Sequence, residues 1–201
     1  MAKVVALSGP QGGGKTTLLN GLAAKGWHVD SFKVSREVQS RLGWEKLDSV
    51  LKDPQTMMDF QTTILEVKSE REAENVKRSD VELILTERSF ADIAAYTQLW
   101  CWELVSDKQW SVKDAIHFMI PFADKCAAEQ RVYDGNLILP MMTHIKWEAD
   151  PHRAKQEHTT FISEQLEQFF KLRNPWVPTF TVTESGIQER TDQANAWLTT
   201  L

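Results

Sequence analysis

Gly9-Pro10-Gln11-Gly12-Gly13-Gly14-Lys15-Thr16 sets three consecutive glycines before a lysine and two hydroxyl residues, Thr16 and Thr17. Residues without side chains let backbone N–H groups converge on a ligand, and a lysine beside them adds a point charge. That pairing suits a phosphate. The spacing G-x-x-x-x-G-K-[ST] is complete, so Gly9, Gln11, Gly12, Gly13, Gly14 and Thr17 are expected to cradle phosphate oxygens. Lys15 would bridge the β- and γ-phosphates of a nucleoside triphosphate, and the Thr16 hydroxyl would ligate Mg²⁺. A glycine-rich turn without a ligand is the plain alternative.

A second group closes the run LILTERSFADIAAY, Leu83 to Tyr96. An apolar strand ending in an acidic residue is how such proteins set a carboxylate beside Mg²⁺, and Glu87 is that candidate. Arg88 would stand at the carboxyl edge of the sheet, where it can neutralise a transferring phosphoryl or hold the acceptor. Asp92 either reaches into the acceptor site or completes a capping box with Ser89, and the two roles are compatible.

These residues need a scaffold that brings strand ends together, and the periodicity supplies one. Val4–Leu7 predicts a buried strand, and Lys15–Lys25 a helix closed by Gly26. A strand over Trp27–Phe32 and a helix through Arg36–Leu42 follow, then a long charged helix over Gln61–Arg78. Val81–Thr86 is an interior strand, and a helix runs from about Ala91 through Trp102. Trp110–Arg131 is helical with a break at Pro121. Gly135 marks a turn, Leu137–Leu139 a strand, His158–Leu172 an amphipathic helix, Phe180–Val182 the last strand and Gln188–Leu198 the last helix. The alternation predicts an α/β three-layer sandwich: a parallel five-stranded sheet with helices on both faces.

Composition narrows the partners. The 201 residues carry a net charge of −5, yet residues 1–52 hold eight Lys or Arg against four Asp or Glu, leaving 15 against 24 for the remainder. A basic first quarter around a phosphate loop suits an anionic ligand, and the acidic remainder offers no broad stripe for a nucleic-acid backbone. One domain over 1–201 accounts for the length. Cys101 and Cys126 have no metal-ligand spacing and are expected as buried free thiols. The five histidines, His28, His117, His144, His152 and His158, show no ligand spacing either. The N-terminal apolar run is short for a signal peptide and no stretch of about twenty apolar residues occurs, so a cytoplasmic protein without a membrane partner is expected.

Taken together, GPQGGGKTTLLNGLAAKGWHV, SREV, ILTERSFADIAAYTQ and VYDGNLILP with WEADPHRAK resemble the small P-loop kinases grouped with the nicotinamide riboside kinase domain and related phage and bacterial ATPase and kinase proteins. The Glu-Arg-Ser triplet is also similar to deoxynucleoside kinases. The resemblance spans residues 3–198 and implies the P-loop NTPase fold, ATP and Mg²⁺ as cofactors, and phosphoryl transfer. Such kinases commonly carry, after the second strand, an acidic residue three positions before an arginine. Here Lys33 stands in that place ahead of Arg36. Lys33 cannot supply a carboxylate base, so Asp30 is the nearest substitute, with a turn or surface carboxylate as its other role. Arg36 contacts an acceptor phosphate or solvates a helix face. WEADPHRAK resembles a D-x-x-R lid segment, over about 146–157, whose arginine closes on the triphosphate; Arg153 is that residue, Lys155 the second choice, and a solvated basic turn the alternative. Thr183-Glu184-Ser185 lies where similar kinases touch adenine through backbone groups. Trp100, Trp102 and Trp110 mark a helical insertion over about 100–131 near the acceptor site, where they either stack on a ring or form core and homodimer contacts.

Three functions follow. The first is an ATP- and Mg²⁺-dependent kinase for a small nucleoside- or nucleotide-like acceptor, with Asp30, Glu87 or Asp92 taking the proton of an acceptor hydroxyl. The second is a phage-type kinase acting on 5-hydroxymethyluracil in DNA, and the third an ATPase or switch without an acceptor. The guanine-reading pattern N/T-K-x-D is missing from the chain, which favours ATP as donor.

Overall fold

The computed structural model describes residues 1–44, 52–141 and 156–201. Five strands, β1 Lys3–Ser8, β2 His28–Asp30, β3 Leu83–Glu87, β4 Gly135–Ile138 and β5 Thr179–Thr181, form one sheet in the order β2-β3-β1-β4-β5. Every pairing is parallel, as the alternation of strands and helices predicts. The helices are α1 Lys15–Ala24, α2 Val34–Leu42, α3 Pro54–Lys77, α4 Phe90–Ser106, α5 Val112–Glu129, α6 Gln156–Leu172 and α7 Ile187–Leu198.

The central strand β1 is covered on both faces, which is why Val4-Val5-Ala6-Leu7 is apolar without alternation. Val5 and Leu7 pack with Leu18 and Leu22 of α1 and with Ala194 and Leu198 of α7. Val4 and Ala6 point the other way, toward Phe90 of α4 and Ile162 and Leu166 of α6. A third cluster lies off the sheet, where Val38, Met57, Phe60, Leu104 and Ala115 join α2, α3, α4 and α5.

Several elements depart from the expectations drawn from sequence. α5 runs unbroken through Pro121. Pro121 and His117, whose carbonyl loses its intrahelical partner, are both exposed, so water can serve that carbonyl. Gly135 lies inside β4 and not in a turn; a Cβ there would stand 2.8 Å from the Trp197 ring. α3 starts at Pro54, well before Gln61, because Asp53 Oδ1 accepts from the Thr56 N–H at 2.8 Å and proline fits a first turn that needs no donor.

The charged character of α3 conceals an inward polar stripe. Gln61, Lys68, Glu72 and Asn75 are all buried. Lys68 Nζ lies 2.6 Å from Glu72 Oε1 and donates to Thr86 Oγ1 at 2.8 Å and to the Glu87 carbonyl at 3.2 Å. Glu72 also accepts from the Tyr133 hydroxyl at 3.1 Å and from Asn75 Nδ2 at 2.9 Å. Removing one partner of a dehydrated pair strands the other charge, whereas replacing both with apolar groups does not. Glu72→Ala is expected to cost about 3–5 kcal/mol in urea unfolding, and the Lys68→Met/Glu72→Leu double variant markedly less. Equal costs for the two would remove the stranded-charge explanation.

Candidate functional site

β1 delivers the chain into the glycine loop, whose turns need left-handed backbone: φ is 152° at Gly9, 80° at Gly12 and 85° at Gly14. The fold adds its own demand for glycine. A Cβ on Gly9 would lie 2.4 Å from the Leu139 carbonyl oxygen, and one on Gly14 would lie 2.9 Å from Arg190 Nη1. Arg190, buried on α7, donates from Nη2 to the Gly13 carbonyl at 3.2 Å and so braces the loop from behind. Lys15 opens α1; its Nζ donates to the Gly9 and Pro10 carbonyls at 2.6 and 2.7 Å. Burial, with repulsion from Arg88, pushes this ammonium down to about 7 against the opposing pull of Asp92 and Glu87. Thr16 and Thr17 are exposed on the first turn of α1.

Beside the loop, Glu87 ends β3 in register with Leu7, and the Arg88 N–H donates to the Leu7 carbonyl at 2.9 Å. Arg88 has φ 65°, a left-handed conformation that a residue with a Cβ adopts at a cost and that clusters at functional sites. Its guanidinium carbon sits 4.7 Å from the Tyr96 ring centroid, with Nη1 3.8 Å from Asp92 Oδ1. Asp92 completes the capping box of α4 with Ser89 and also accepts from the Gly9 N–H at 3.2 Å. One carboxylate therefore caps a helix and ties it to the phosphate loop. Tyr96, one turn on, adds a second tie from α4 to the loop, its hydroxyl accepting from the Gln11 N–H at 3.1 Å.

Lys33, the departure from the family pattern, pairs with Glu87: Nζ to Oε2 is 2.8 Å. Burial raises the Glu87 carboxyl, but Lys33, together with Arg88 and Lys15, outweighs it and holds the group below its ordinary value. A cavity of about 370 Å³ opens at this pair, running from Gln11 of the loop past Glu87, Arg88 and Asp92 to Phe60 and Trp100. Trp100 lies at 5.6 Å from Phe60 and edge-on at 6.2 Å from Tyr96, centroid to centroid. Gln61, 1% exposed, lines the same cavity with its Nε2 unpartnered. Of the insertion over 100–131, Trp100 alone among the described residues lines it; Trp110 packs on Phe118, and Trp102 is exposed.

The structure thus gathers Gly9, Gln11, Lys15, Glu87, Arg88 and Asp92 at one sheet edge. It commits Asp30 elsewhere. Arg71 Nε and Nη2 donate to its two oxygens at 2.9 and 2.8 Å, and Asn75 and the Phe32 N–H add to them. Asp30 does not line the cavity. Arg36 is exposed in the first turn of α2. The N–H groups of Thr183 and Glu184 are taken by Gln193 Oε1 at 2.9 and 3.3 Å. Arg153, Lys155, His144, His152 and residues 146–155 of the lid segment lie outside the described residues. Sequence reasoning missed Gln61, Lys68, Tyr96 and Arg190. The spacing 61, 65, 68, 72 and 75 on a single helix was a usable signal for the first two.

A family model described as an AAA domain matches residues 4–190. The chain belongs to this AAA domain family. No curated protein matches it. Deoxyadenosine kinase from M. mycoides, solved with products dCMP and a flexible dCDP bound, is 17% identical with a TM-score of 0.67, the match covering 98% of this chain and 100% of that one. The same kinase with bound dATP gives 0.68 at 17% identity, covering 98% and 99%. NadR in complex with NR is 18% identical with a TM-score of 0.68, covering 99% of this chain and 50% of NadR. The AAA domain chain therefore has the α/β P-loop fold seen in these kinases. In such open sheets ligands sit at the carboxyl ends of the strands where the order reverses. Here that is β1, between β3 and β4, with the glycine loop at its end.

Asp30 has a measurable signature in this AAA domain. Burial raises its carboxyl, but the hydrogen bonds from Arg71, Asn75 and Phe32 outweigh that and hold it at about 2. A folded value below the unfolded one of about 3.9 gives stability that is complete above that value and lost as pH falls toward 2. In thermal melts between pH 2 and 6, Asp30→Asn is expected to flatten the acid limb relative to the parent. Parallel acid limbs would show that the Arg71 pair adds no pH-dependent stability.

Proposed function

We propose that this protein is an ATP- and Mg²⁺-dependent phosphotransferase that moves the γ-phosphoryl group to a small nucleoside- or nucleotide-like acceptor. The observation that carries the proposal is the cavity of about 370 Å³, which shares Gln11, Glu87, Arg88 and Asp92 with the phosphate loop's surroundings. Its volume falls in the range of small-molecule sites. An ATPase that uses water alone needs no such chamber. Its walls suit a ring: they are aromatic at Phe60, which stacks on Trp44, at Tyr96, which lies under Arg88, and at Trp100, and the Gln61 Nε2 has no partner among the described residues.

Phosphoryl transfer asks little covalent chemistry of a protein, so the work is alignment and charge. With the Gly9 and Gln11 N–H groups given to Asp92 and Tyr96, the loop's later N–H groups would hold the β- and γ-phosphates at the N-terminus of α1, where the helix dipole favours anions. Lys15 and Arg88 offset charge that builds on the transferring group, and Arg88 is held at its post by Tyr96 and Asp92. The Thr16 hydroxyl and, on leaving Lys33, the Glu87 carboxylate would offer Mg²⁺ the hard oxygen ligands it takes, and the ion would neutralise phosphate charge there. Two kinases whose solved structures carry dATP or AMP-PNP share the fold, which supports ATP as the donor.

The test offers γ-labelled ATP and Mg²⁺ with nucleosides, nucleotides, nicotinamide riboside, and DNA with and without 5-hydroxymethyluracil. Label is expected on a small molecule, and Lys15→Ala is expected to lower transfer by roughly 10²–10³-fold. Label on DNA alone would move the activity to a polymer substrate. Release of inorganic phosphate only, unstimulated by every acceptor, would overturn the kinase assignment.

A further inference from the structure

The cavity's charges do not match an acceptor that must lose a proton. Among the described residues its only acidic linings are Glu87 and Asp92. Glu87 is paired to Lys33 at 2.8 Å. Asp92 is fully buried, with Oδ1 on the Gly9 N–H and Oδ2 accepting from the Ser89 N–H at 2.8 Å and the Ser89 hydroxyl at 3.2 Å. Asp30 is held by Arg71 and does not line the chamber. Among the described residues lining the chamber, both carboxylates are thus already committed to partners inside the protein.

Cations, by contrast, are in place. The Lys33 side chain is 50% exposed and that of Arg88 38%, and both line the cavity. Lys33 is the N-cap of α2, whose first turn, Val34 and Ser35, lines the same wall with no side chain capping it. A helix N-terminus with a lysine at its cap favours an anion. The second observation is Gln61: a buried amide in the same chamber whose Nε2 has no partner among the described residues, leaving a donor beyond the anion site.

We infer that the acceptor is a nucleoside monophosphate, with its phosphate held by Lys33, Arg88 and the first turn of α2 and its base among Phe60, Trp100 and Gln61. This assignment rests on the kinase function proposed above and narrows it. A phosphate monoester needs no base, because its second ionisation, near 6, leaves it anionic at neutral pH. An acceptor phosphate oxygen forms a bond to the γ-phosphorus while the bond from that phosphorus to the β–γ bridging oxygen breaks. The electron pair leaves with ADP, the acceptor becomes a diphosphate, and no proton has to be removed. The lysine at position 33 then has a chemical reason: it screens repulsion between two phosphates brought together.

The experiment pairs each common ribo- and deoxynucleoside with its 5′-monophosphate in the labelled-ATP assay, using the parent, Lys33→Gln, Lys33→Glu and Lys33→Arg. Label is expected on a monophosphate, with kcat/KM at least about tenfold above that of its nucleoside. Losing a charge-assisted contact should raise KM for the monophosphate by about 10–100-fold in Lys33→Gln, more in Lys33→Glu, with recovery in Lys33→Arg. Circular dichroism and melting of each variant establish that position 33 leaves the fold intact. Preference for the nucleoside, equal use of both, or a monophosphate preference indifferent to Lys33→Gln overturns the inference and leaves the kinase function standing. Label on neither class, with phosphate released only as Lys15-dependent hydrolysis, overturns both.

Discussion

The ion pair between Lys68 and Glu72 is the constraint on which the site's geometry depends. Both side chains are almost fully removed from water, so each must find its partners inside the protein. Lys68 finds Thr86 and the Glu87 carbonyl at the end of β3; Glu72 finds Tyr133 ahead of β4 and Asn75 one turn along α3. Asn75 in turn reaches Asp30 at the end of β2. Three strand ends are thereby referred to one helix through directional bonds, and apolar packing alone would not supply that orientation. The same helix places Phe60, Gln61 and Ile64 in the wall of the cavity.

From this frame the phosphate loop acquires its second set of constraints. The glycines leave room for a ligand on one side, but Leu139 and Arg190 press from the other, so the absence of side chains serves the fold as well as the ligand. Asp92 and Tyr96 bind loop amides from α4, and Arg88 is held between them in a strained backbone conformation. An arrangement so tightly tied holds cations where charge will develop without spending free energy to move them there. Lys33, the N-cap of α2, brings a further cation to the same edge, where it pairs with Glu87.

Much of this was legible along the chain, for reasons specific to particular residues. The glycine loop is a contiguous motif whose backbone demands can be met by few residue types, and it lies between a strand and a helix in the structure as its context implied. Glu87 and Arg88 were legible because a buried parallel strand is an apolar run and its end is marked by the first charge. Gln61 and Lys68 were not recognised because α3 carries charge all round, and a charged residue on a helix is ordinarily solvated. Pro121 and Gly135 misled for a different reason: proline breaks a helix only if the lost bond matters, and glycine marks a turn only if nothing else demands its small size.

Local rules sufficed wherever the cause is local. Hydrophobic runs, caps and the glycine-loop spacing depend on neighbours within a few residues, so the sequence by itself determined the parallel α/β architecture, the glycine loop between β1 and α1 and the carboxylate that ends β3. What depended on tertiary structure is which charges are spent on one another. Lys33 meets Glu87 across 54 positions, Arg71 meets Asp30 across 41, and Arg190 meets Gly13 across 177. A side chain's charge is written in the sequence, but whether it is neutralised, dehydrated or left facing a ligand is set by distance in space. At this site that distance decides which carboxylates and cations are paired and which line the cavity.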